Sequence, residues 1–360
     1  MAYSTIPKGS LQTNSVLYTG TAAIQSISGV GFEPDMIWCK ERGASNGGPI
    51  TDKVRGISTT SSPFLISQSG DAQQEGNGTV ANRTITATSA DGFTLGADSY
   101  YTNFNKNNGS FVSWNWKVGG AGSANTDGST AVAKLSVNQT AGISIGNIPG
   151  GFVSTGSNSE TIGHGLGKPP EFIMFKSIST NDNWICGHGS YGWTKNGKLN
   201  TNDSFGTSTL FNNTTPNNQT FSVRGGDYGT GFNMIFYCFT SIQGYSKFGR
   251  YTGNGSSNGT LTYTGFKPSF IMIKVANDDA NWLMFDNKRE GYNVDNDELY
   301  ANVSDAEQTY DQIDFLSNGF KMRANGTSTN LTSNIYTYWA FAENPFVATS
   351  GTTAVPVTAR

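Results

Sequence analysis

Two pairs of closely spaced carboxylates are the residues of this sequence that could cleave a sugar bond. A glycoside hydrolase needs two carboxyl groups on either side of that bond, about 5 to 9.5 Å apart. Glu33 and Asp35 are separated only by Pro34, at the head of a strand-like run. Asp311 and Asp314 have an odd spacing, so a strand would point them to opposite faces. Solvated carboxylates are the favoured interpretation of both pairs, and we expect no enzymatic activity.

Metal ligands are sparse in the sequence. Residues 278–279 and 295–298 offer carboxylate and amide oxygens that suit Ca²⁺, but the glycine of an EF-hand loop is missing. His164 and His188 are the only histidines and are far apart, which argues against zinc. Three cysteines have no metal-like spacing, and Cys39 and Cys238, which lie in apolar strand-like runs, are interpreted as buried, reduced thiols. We expect neither a metal nor a cofactor.

Aromatic side chains close to Asn and Asp form the strongest ligand-binding pattern. Sugars stack on aromatic rings while neighbouring polar groups bind their hydroxyls. Residues 181–184 read Asn-Asp-Asn-Trp, and 278–282 read Asp-Asp-Ala-Asn-Trp. The predicted glycan contacts are Asp182, Trp184, His188, Tyr191, Trp193, Asp279 and Trp282. The favoured alternative for the tryptophans of the two stretches is a structural role in the core, because both recur at one position of a repeat.

The repeat itself shows which elements carry these residues. Residues 167–176 and 265–274 share Gly, Pro, Phe-Ile-Met and Lys at a constant offset, and residues 31–40 are a fainter copy. Each copy closes with an aromatic run, at 111–116, 234–239 and 336–341. Alternate positions of these runs would form one mostly apolar strand face. Each copy is therefore predicted to be an antiparallel two-sheet β-sandwich, jelly-roll or lectin-like.

Composition sets the boundaries between the copies. Gly, Ser and Asn dominate residues 118–129, which is typical of a flexible linker. We predict three tandem modules at 1–120, 121–246 and 247–346, followed by a tail at 347–360. The second module has an extra lead-in at 131–151, interpreted as an added hairpin. The tail has too few apolar residues to fold by itself.

Overall composition excludes several classes of protein. Aromatic residues make up 12% of the 360 residues and the net charge is only −3, which argues against disorder. Gly contributes 45 residues, in keeping with many short strands joined by turns. Lys and Arg form no stripe that would follow a nucleic acid. There is no apolar run long enough to cross a membrane and no secretory signal, so we expect folding in a reducing cytoplasm.

Several motifs together resemble a repeat in proteins of marine and cyanobacterial tailed phages. They are residues 161–176 followed by Asn183-Trp184, the run 31–38, the Asp52-x-x-Arg55-Gly56 pair, the turn 91–96 and the ending 338–346. The resemblance covers nearly the whole chain and implies a virion structural, tail-fibre or concanavalin-like protein. The first copy departs from the pattern, because Gly47-Gly48 stands where the others have Asn-Trp.

These observations predict a non-enzymatic virion protein on the exterior of a phage particle, associated with the tail or its fibres. We expect it to be assembled in the host cytoplasm, to contact other virion proteins and further copies of itself, and to touch host-surface glycan. We expect no nucleic acid and no membrane insertion. The open alternatives are a capsid decoration or head-fibre protein, a carbohydrate-binding lectin and an envelope glycanase.

Overall fold

A computed structural model describes residues 4–59, 62–75, 83–97, 102–152, 158–224, 231–289, 293 and 296–345. Regular structure in these residues is almost entirely β, and every named strand pair is antiparallel. The prediction of an all-β protein with antiparallel sheets is therefore confirmed. The predicted tail at 347–360 lies outside the described residues.

The first copy forms a five-stranded sheet in the order β1-β8-β3-β4-β5 and a three-stranded sheet in the order β2-β7-β6. A 3-10 turn (Gly9–Leu11) and a short helix α1 (Thr102–Asn105) accompany them. Its strands are β1 (Thr13–Thr19), β2 (Gln25–Ile27), β3 (Met36–Glu41), β4 (Pro49–Asp52), β5 (Leu65–Ile66), β6 (Ile85–Ser89), β7 (Gly92–Leu95) and β8 (Ser110–Trp116).

The second copy forms an eight-stranded sheet in the order β16-β15-β14-β13-β18-β11-β10-β9 and a pair, β12-β17. Its strands are β9 (Ser123–Asn125), β10 (Val132–Asn138), β11 (Ile143–Ile148), β12 (Ser159–Gly163), β13 (Phe172–Ser177), β14 (Ile185–His188), β15 (Lys195–Lys198), β16 (Gly206–Thr207), β17 (Thr220–Arg224) and β18 (Met234–Phe239).

The third copy forms a six-stranded sheet in the order β19-β27-β21-β22-β23-β24 and a three-stranded sheet in the order β20-β26-β25. Its strands are β19 (Ser246–Thr252), β20 (Leu261–Tyr263), β21 (Phe266–Val275), β22 (Leu283–Asp286), β23 (Asn296–Tyr300), β24 (Gln308–Tyr310), β25 (Ile313–Leu316), β26 (Gly319–Met322) and β27 (Ile335–Pro345).

The same four-strand order occurs in all the large sheets. It reads β1-β8-β3-β4, then β11-β18-β13-β14, then β19-β27-β21-β22. The Pro-led strand of each repeat is the third member and the aromatic closing strand is the second. In the second copy, β10 and β11 form the hairpin expected at 131–151. However, β11 is that copy's opening strand, so β9 and β10 are the additional strands.

The strands of each four-strand unit other than the opening strand are buried on nearly their whole length, on both faces. One face lies on the smaller sheet of the same copy and forms a separate cluster, with Ile37 in the first copy, Ile173 in the second and Ile271 in the third. The opposite face contributes to one cluster that contains residues of all the copies. The closing strands therefore have two buried faces, although the sequence predicts one mostly apolar face from their alternation.

Aromatic rings join the copies inside this shared cluster, which we call the central core. The Trp114 ring lies 5.8 Å from that of Phe270, and the Phe172 ring lies 4.3 Å from that of Trp339. The division into three self-contained modules stays a prediction, because each copy buries half of its large sheet against the others.

Candidate functional site

The tryptophans predicted to stack on a glycan are buried. Trp184 has no exposed surface and Trp282 is 2% exposed. The indole Nε1–H of Trp184 donates to the carbonyl oxygen of Ile66 at 3.0 Å, and that of Trp282 donates to the carbonyl oxygen of Lys198 at 2.9 Å. Each acceptor belongs to the preceding copy. Both residues therefore join neighbouring copies. This is a structural role in the core, the alternative to glycan binding that the sequence favoured for them.

The rest of the predicted glycan set is spread over the second copy and its borders. Trp193 is buried with its ring 5.1 Å from that of Phe211. Half-buried Tyr191 packs on the central core. Asp182 is half-buried, and its backbone N–H donates to Gly70 in the first copy at 2.7 Å.

Asp279 is exposed, and its carboxylate accepts from the backbone N–H of Ser204 in the second copy at 2.8 Å. The seven predicted residues do not line one open cleft, and glycan binding by them stays a prediction.

The departure at Gly47-Gly48 has a packing explanation. Gly48 occupies the place of Trp184, and Trp38 occupies the place of Met174. A Cβ on Gly48 would lie 2.7 Å from Oγ of Ser67 and 3.1 Å from Nε1 of Trp38. The first copy thus carries its tryptophan on the adjacent strand, and the space for a second one is already filled.

Three of the four carboxylates considered for catalysis, Glu33, Asp35 and Asp314, are bound to cations. Lys53 Nζ lies 2.7 Å from Glu33 and 3.0 Å from Asp35. The hydrogen bond from Lys53, followed by that from Thr88, lowers the pKa of Glu33. Asp314 pairs with Arg323 at 3.3 Å, while burial raises the pKa of this carboxyl group. These contacts give the carboxylates structural partners.

The border between the first and second copies contains a buried ion pair. Arg55 Nε donates to Asp52 at 2.6 Å, and both side chains are almost completely buried. The hydroxyl group of Tyr237, from the second copy, donates to the same carboxylate at 2.8 Å. Arg55 also donates to the carbonyl oxygen of Ile50. The Asp52-x-x-Arg55 motif therefore binds the closing strand of the next copy.

The same arrangement joins the third copy to the first. Arg289 Nε donates to Asp286 at 2.7 Å, and the Trp114 indole donates to that carboxylate at 3.0 Å. The guanidinium carbon lies 5.9 Å from the centre of the Trp114 ring. Glu307 bridges Arg289 and Arg42 at 3.0 and 2.6 Å. The first and third copies are thus bound directly to each other, although they are farthest apart in sequence.

The second copy has His188 at the place of these aspartates. Asp52, His188 and Asp286 occupy the same register on β4, β14 and β22. His188 Nε2 donates to the carbonyl oxygen of Tyr338 in the third copy at 3.3 Å. Burial lowers the pKa of His188 to about 4. The contacts run from first to second, second to third and third to first copy, so they close a ring.

Two of the three lysines that recur in the repeat bind another copy at these borders. Lys40, Lys176 and Lys274 are fully buried at the ends of their strands. Lys40 Nζ donates to the carbonyl oxygen of Val303 in the third copy at 2.6 Å, and Lys274 Nζ to that of Asn202 in the second at 3.0 Å. Burial lowers the pKa of all three to about 8.

The sequence shows that these lysines recur but does not show what they bind. The sequence patterns also did not identify the contact that Asp286 and Arg289 make between the third and first copies. The signal was available, because Asp286 lies at the repeat offset from His188.

Within the described ranges, no cluster of His, Cys, Asp and Glu could hold a metal ion. No helix among those residues is both long and apolar enough to cross a membrane.

The fold and these borders define an all-β protein whose repeated strands share a central core. A model of a family described only as a domain of unknown function, DUF7483, matches residues 8–345. The chain belongs to this family. The match extends across every copy of the repeat. Among curated proteins, none matches the chain.

Proposed function

We propose that this protein is a non-enzymatic structural component of the exterior of a phage particle, associated with the tail or its fibres. The central core is the observation that best supports the proposal. It contains residues of all the copies, and buried contacts such as Asp52 with Tyr237 and Asp286 with Trp114 connect them in a ring. Such an arrangement favours a rigid body over a chain of hinged domains. The phage assignment depends on the resemblance of the sequence motifs.

The chemistry of the polar groups supports a structural role. Glu33 and Asp35 share Lys53, and the imidazole of His188 is enclosed between two copies. A catalytic carboxylate or imidazole must reach its substrate within hydrogen-bonding distance. The carboxylates already have a cationic partner and the imidazole is buried, which suits a structural role better than catalysis.

A capsid decoration protein is the second candidate. The observation that favours it is the threefold recurrence of one strand order around a common core. A body of this kind could present equivalent surfaces to three neighbouring subunits of a symmetric shell.

Contact with host glycan would use the parts of the predicted set that reach the surface. Tyr191 is half-buried and Asp279 is exposed. A glycan array with the wild-type protein and Tyr191→Ala tests this contact. We expect the variant to lose binding, whereas unchanged binding would place any glycan site elsewhere.

Immunogold labelling of purified particles tests the location. Label on the tail or its fibres is the expected result, and label on the head supports the decoration candidate. Protein found in the lysate but absent from washed, intact particles overturns the virion assignment. Release of reducing sugar from host envelope by the purified protein would overturn the non-enzymatic assignment.

A further inference from the structure

An open groove of about 520 Å³ lies between β19 and β20 of the third copy. Its lining includes Lys247, Arg250 and the ring of Tyr251, and none of its lining residues is acidic. Leu261 and Tyr263, on the opposite wall, are 45% and 54% exposed. The groove therefore combines positive charge with exposed apolar surface in a protein of net negative charge.

Both strands that border the groove are edges of their sheets in the described part of the chain. The carbonyl of Tyr245 and the N–H of Gly253 bond towards β27. Backbone groups alternate along an antiparallel strand, so those of Ser246, Phe248, Arg250 and Thr252 point away from β27. The outward N–H of Phe248 donates to Oγ of Ser241 at 3.2 Å. Ser246 bonds to the preceding turn. Among the described residues, no backbone partner is found for the outward groups of Arg250 and Thr252.

The corresponding groove of the second copy is filled by the chain itself. Strand β10 pairs along β11, which is the equivalent of β19. The residues before it reach the equivalent of β20, because the N–H of Thr130 donates to the carbonyl oxygen of Thr161 at 3.1 Å. Val132 and Leu135 are buried in the separate core of that copy. One extended segment thus connects the edges of both sheets.

In the first copy a side chain at this place also connects the two sheets. Asn14 Nδ2 reaches from β1 to the carbonyl oxygens of Gly29 and Val30, at 3.2 and 3.0 Å. The third copy has Lys247 here, which donates to the carbonyl oxygen of Tyr263. That contact leaves the remainder of the groove open.

The register of β10 indicates which side chains would fit the groove. Gly146 of β11 and Gly249 of β19 are equivalent, because each faces an aromatic ring of the closing strand. Leu135 lies opposite Gly146, and Lys134 lies opposite Asn147. The equivalent of Asn147 is Arg250. A strand seated in the third copy would therefore place an apolar residue opposite Gly249 and its neighbour opposite Arg250.

We propose that this groove binds an extended segment of a partner polypeptide, which adds to β19 as an antiparallel strand. The segment carries apolar residues at the places of Val132 and Leu135 and an acidic residue opposite Arg250. Outward main-chain groups supply the hydrogen bonds, and cross-strand side chains select the sequence. The site is independent of the phage assignment.

Peptides copied from the chain's own strand provide the probe. One peptide has the sequence of residues 128–137 with Lys134→Glu, and its matched control keeps Lys134. We expect the acidic peptide to bind wild-type protein about threefold to tenfold more tightly than the control. Hydrogen exchange should show protection of the Arg250 and Thr252 amides when the acidic peptide is bound.

A charge reversal in the protein completes the test. Arg250 is exposed, so Arg250→Glu should keep the wild-type melting temperature. The variant should prefer the Lys134 peptide. Equal affinity for both peptides, or binding without protection of β19, overturns the proposal. Binding of an oligogalacturonate in the groove, with no binding of either peptide, would overturn it in favour of an acidic saccharide site.

Discussion

Buried polar side chains at the borders between copies bind the neighbouring copy rather than solvent. Asp52, His188 and Asp286 occupy one register of the repeat, and each contacts the closing strand of another copy. Burying a charge costs free energy unless a partner and hydrogen bonds compensate it. The two aspartates have an arginine for this purpose, whereas the second copy uses a neutral imidazole.

We expect His188 to make the protein sensitive to acid. Its pKa is about 4 in the folded chain, because burial disfavours the charged imidazole. An unfolded chain takes up the proton near pH 6.5, so stability is lost as the pH falls from about 6.5 to 4. The loss should approach about 3 kcal/mol. Urea unfolding at pH 7 and at pH 4.5 measures it.

His188→Gln should reduce this pH dependence, since glutamine does not titrate. His164→Gln is the matched control, because it leaves the His188 contribution in place. Equal loss of stability in wild type and His188→Gln between the two pH values would contradict the assignment.

Removal of one member of the buried ion pair should be strongly destabilising. Asp286→Ala removes the carboxylate bound to Nε of buried Arg289 and leaves Glu307 as its remaining acidic partner, and we expect a loss of about 3 kcal/mol. Glu33→Ala removes a half-exposed partner of Lys53 and should cost less than about 1 kcal/mol. Chemical denaturation of both variants gives the comparison. Similar losses of stability in the two variants would contradict the argument that a buried ion pair is more costly to break than an exposed one.

At the scale of strands, the opening and closing strands of each copy are matched in side-chain size. Where the smaller residue lies on the opening strand in one copy, it lies on the closing strand in another. Gly249 lies opposite Tyr338, whereas the first copy has Val16 opposite Ser113. A Cβ on Gly249 would lie 2.5 Å from the Tyr338 hydroxyl oxygen. The opening and closing strands therefore fit each other pair by pair, which explains why their sequences diverge between copies.

Gly249→Ala should destabilise the protein by about 1 to 3 kcal/mol, because the new methyl group overlaps the tyrosine side chain. The loss should become smaller in a Tyr338→Ser background, and a double-mutant cycle measures that coupling. Gly206→Ala serves as the control, since nothing lies within 4 Å of the added Cβ. Additive effects of the two substitutions in β19 and β27 would contradict the pairing argument.

At the scale of the whole molecule, the central core makes the copies depend on each other. Met272 faces this core, while the adjacent Ile273 faces the separate core of the third copy. The buried contacts close a ring, and no copy can leave without exposing apolar surface on the other two.

We expect thermal unfolding in one cooperative transition, detected at the same temperature by far-ultraviolet circular dichroism and tryptophan fluorescence. Ile273→Ala should lower the midpoint of the entire transition through a loss of about 2 to 5 kcal/mol. Met272→Ala should act in the same way. A separate early transition in Ile273→Ala, with the remainder unfolding at the wild-type temperature, would show that the copies fold independently.

The sequence by itself determined the class of fold and the places of its main strands. Phe-Ile-Met runs led by Pro and closing runs of aromatic residues are local patterns, and both became strands at the expected positions. The same patterns revealed that Lys176 and Lys274 are equivalent. Local alternation and turn residues suffice for this, because the burial of a strand's faces and the turns at its ends leave a pattern in the adjacent residues.

Only the tertiary structure decided which faces meet. The indole of Trp184 binds a carbonyl group more than a hundred residues away, so its spacing could not distinguish a ligand platform from a contact between copies. Burial of both faces of the closing strands, the ring of buried polar contacts between copies and the open groove beside β19 arise in the same way. They depend on packing between residues that are far apart in the sequence, and local sequence patterns do not predict such packing.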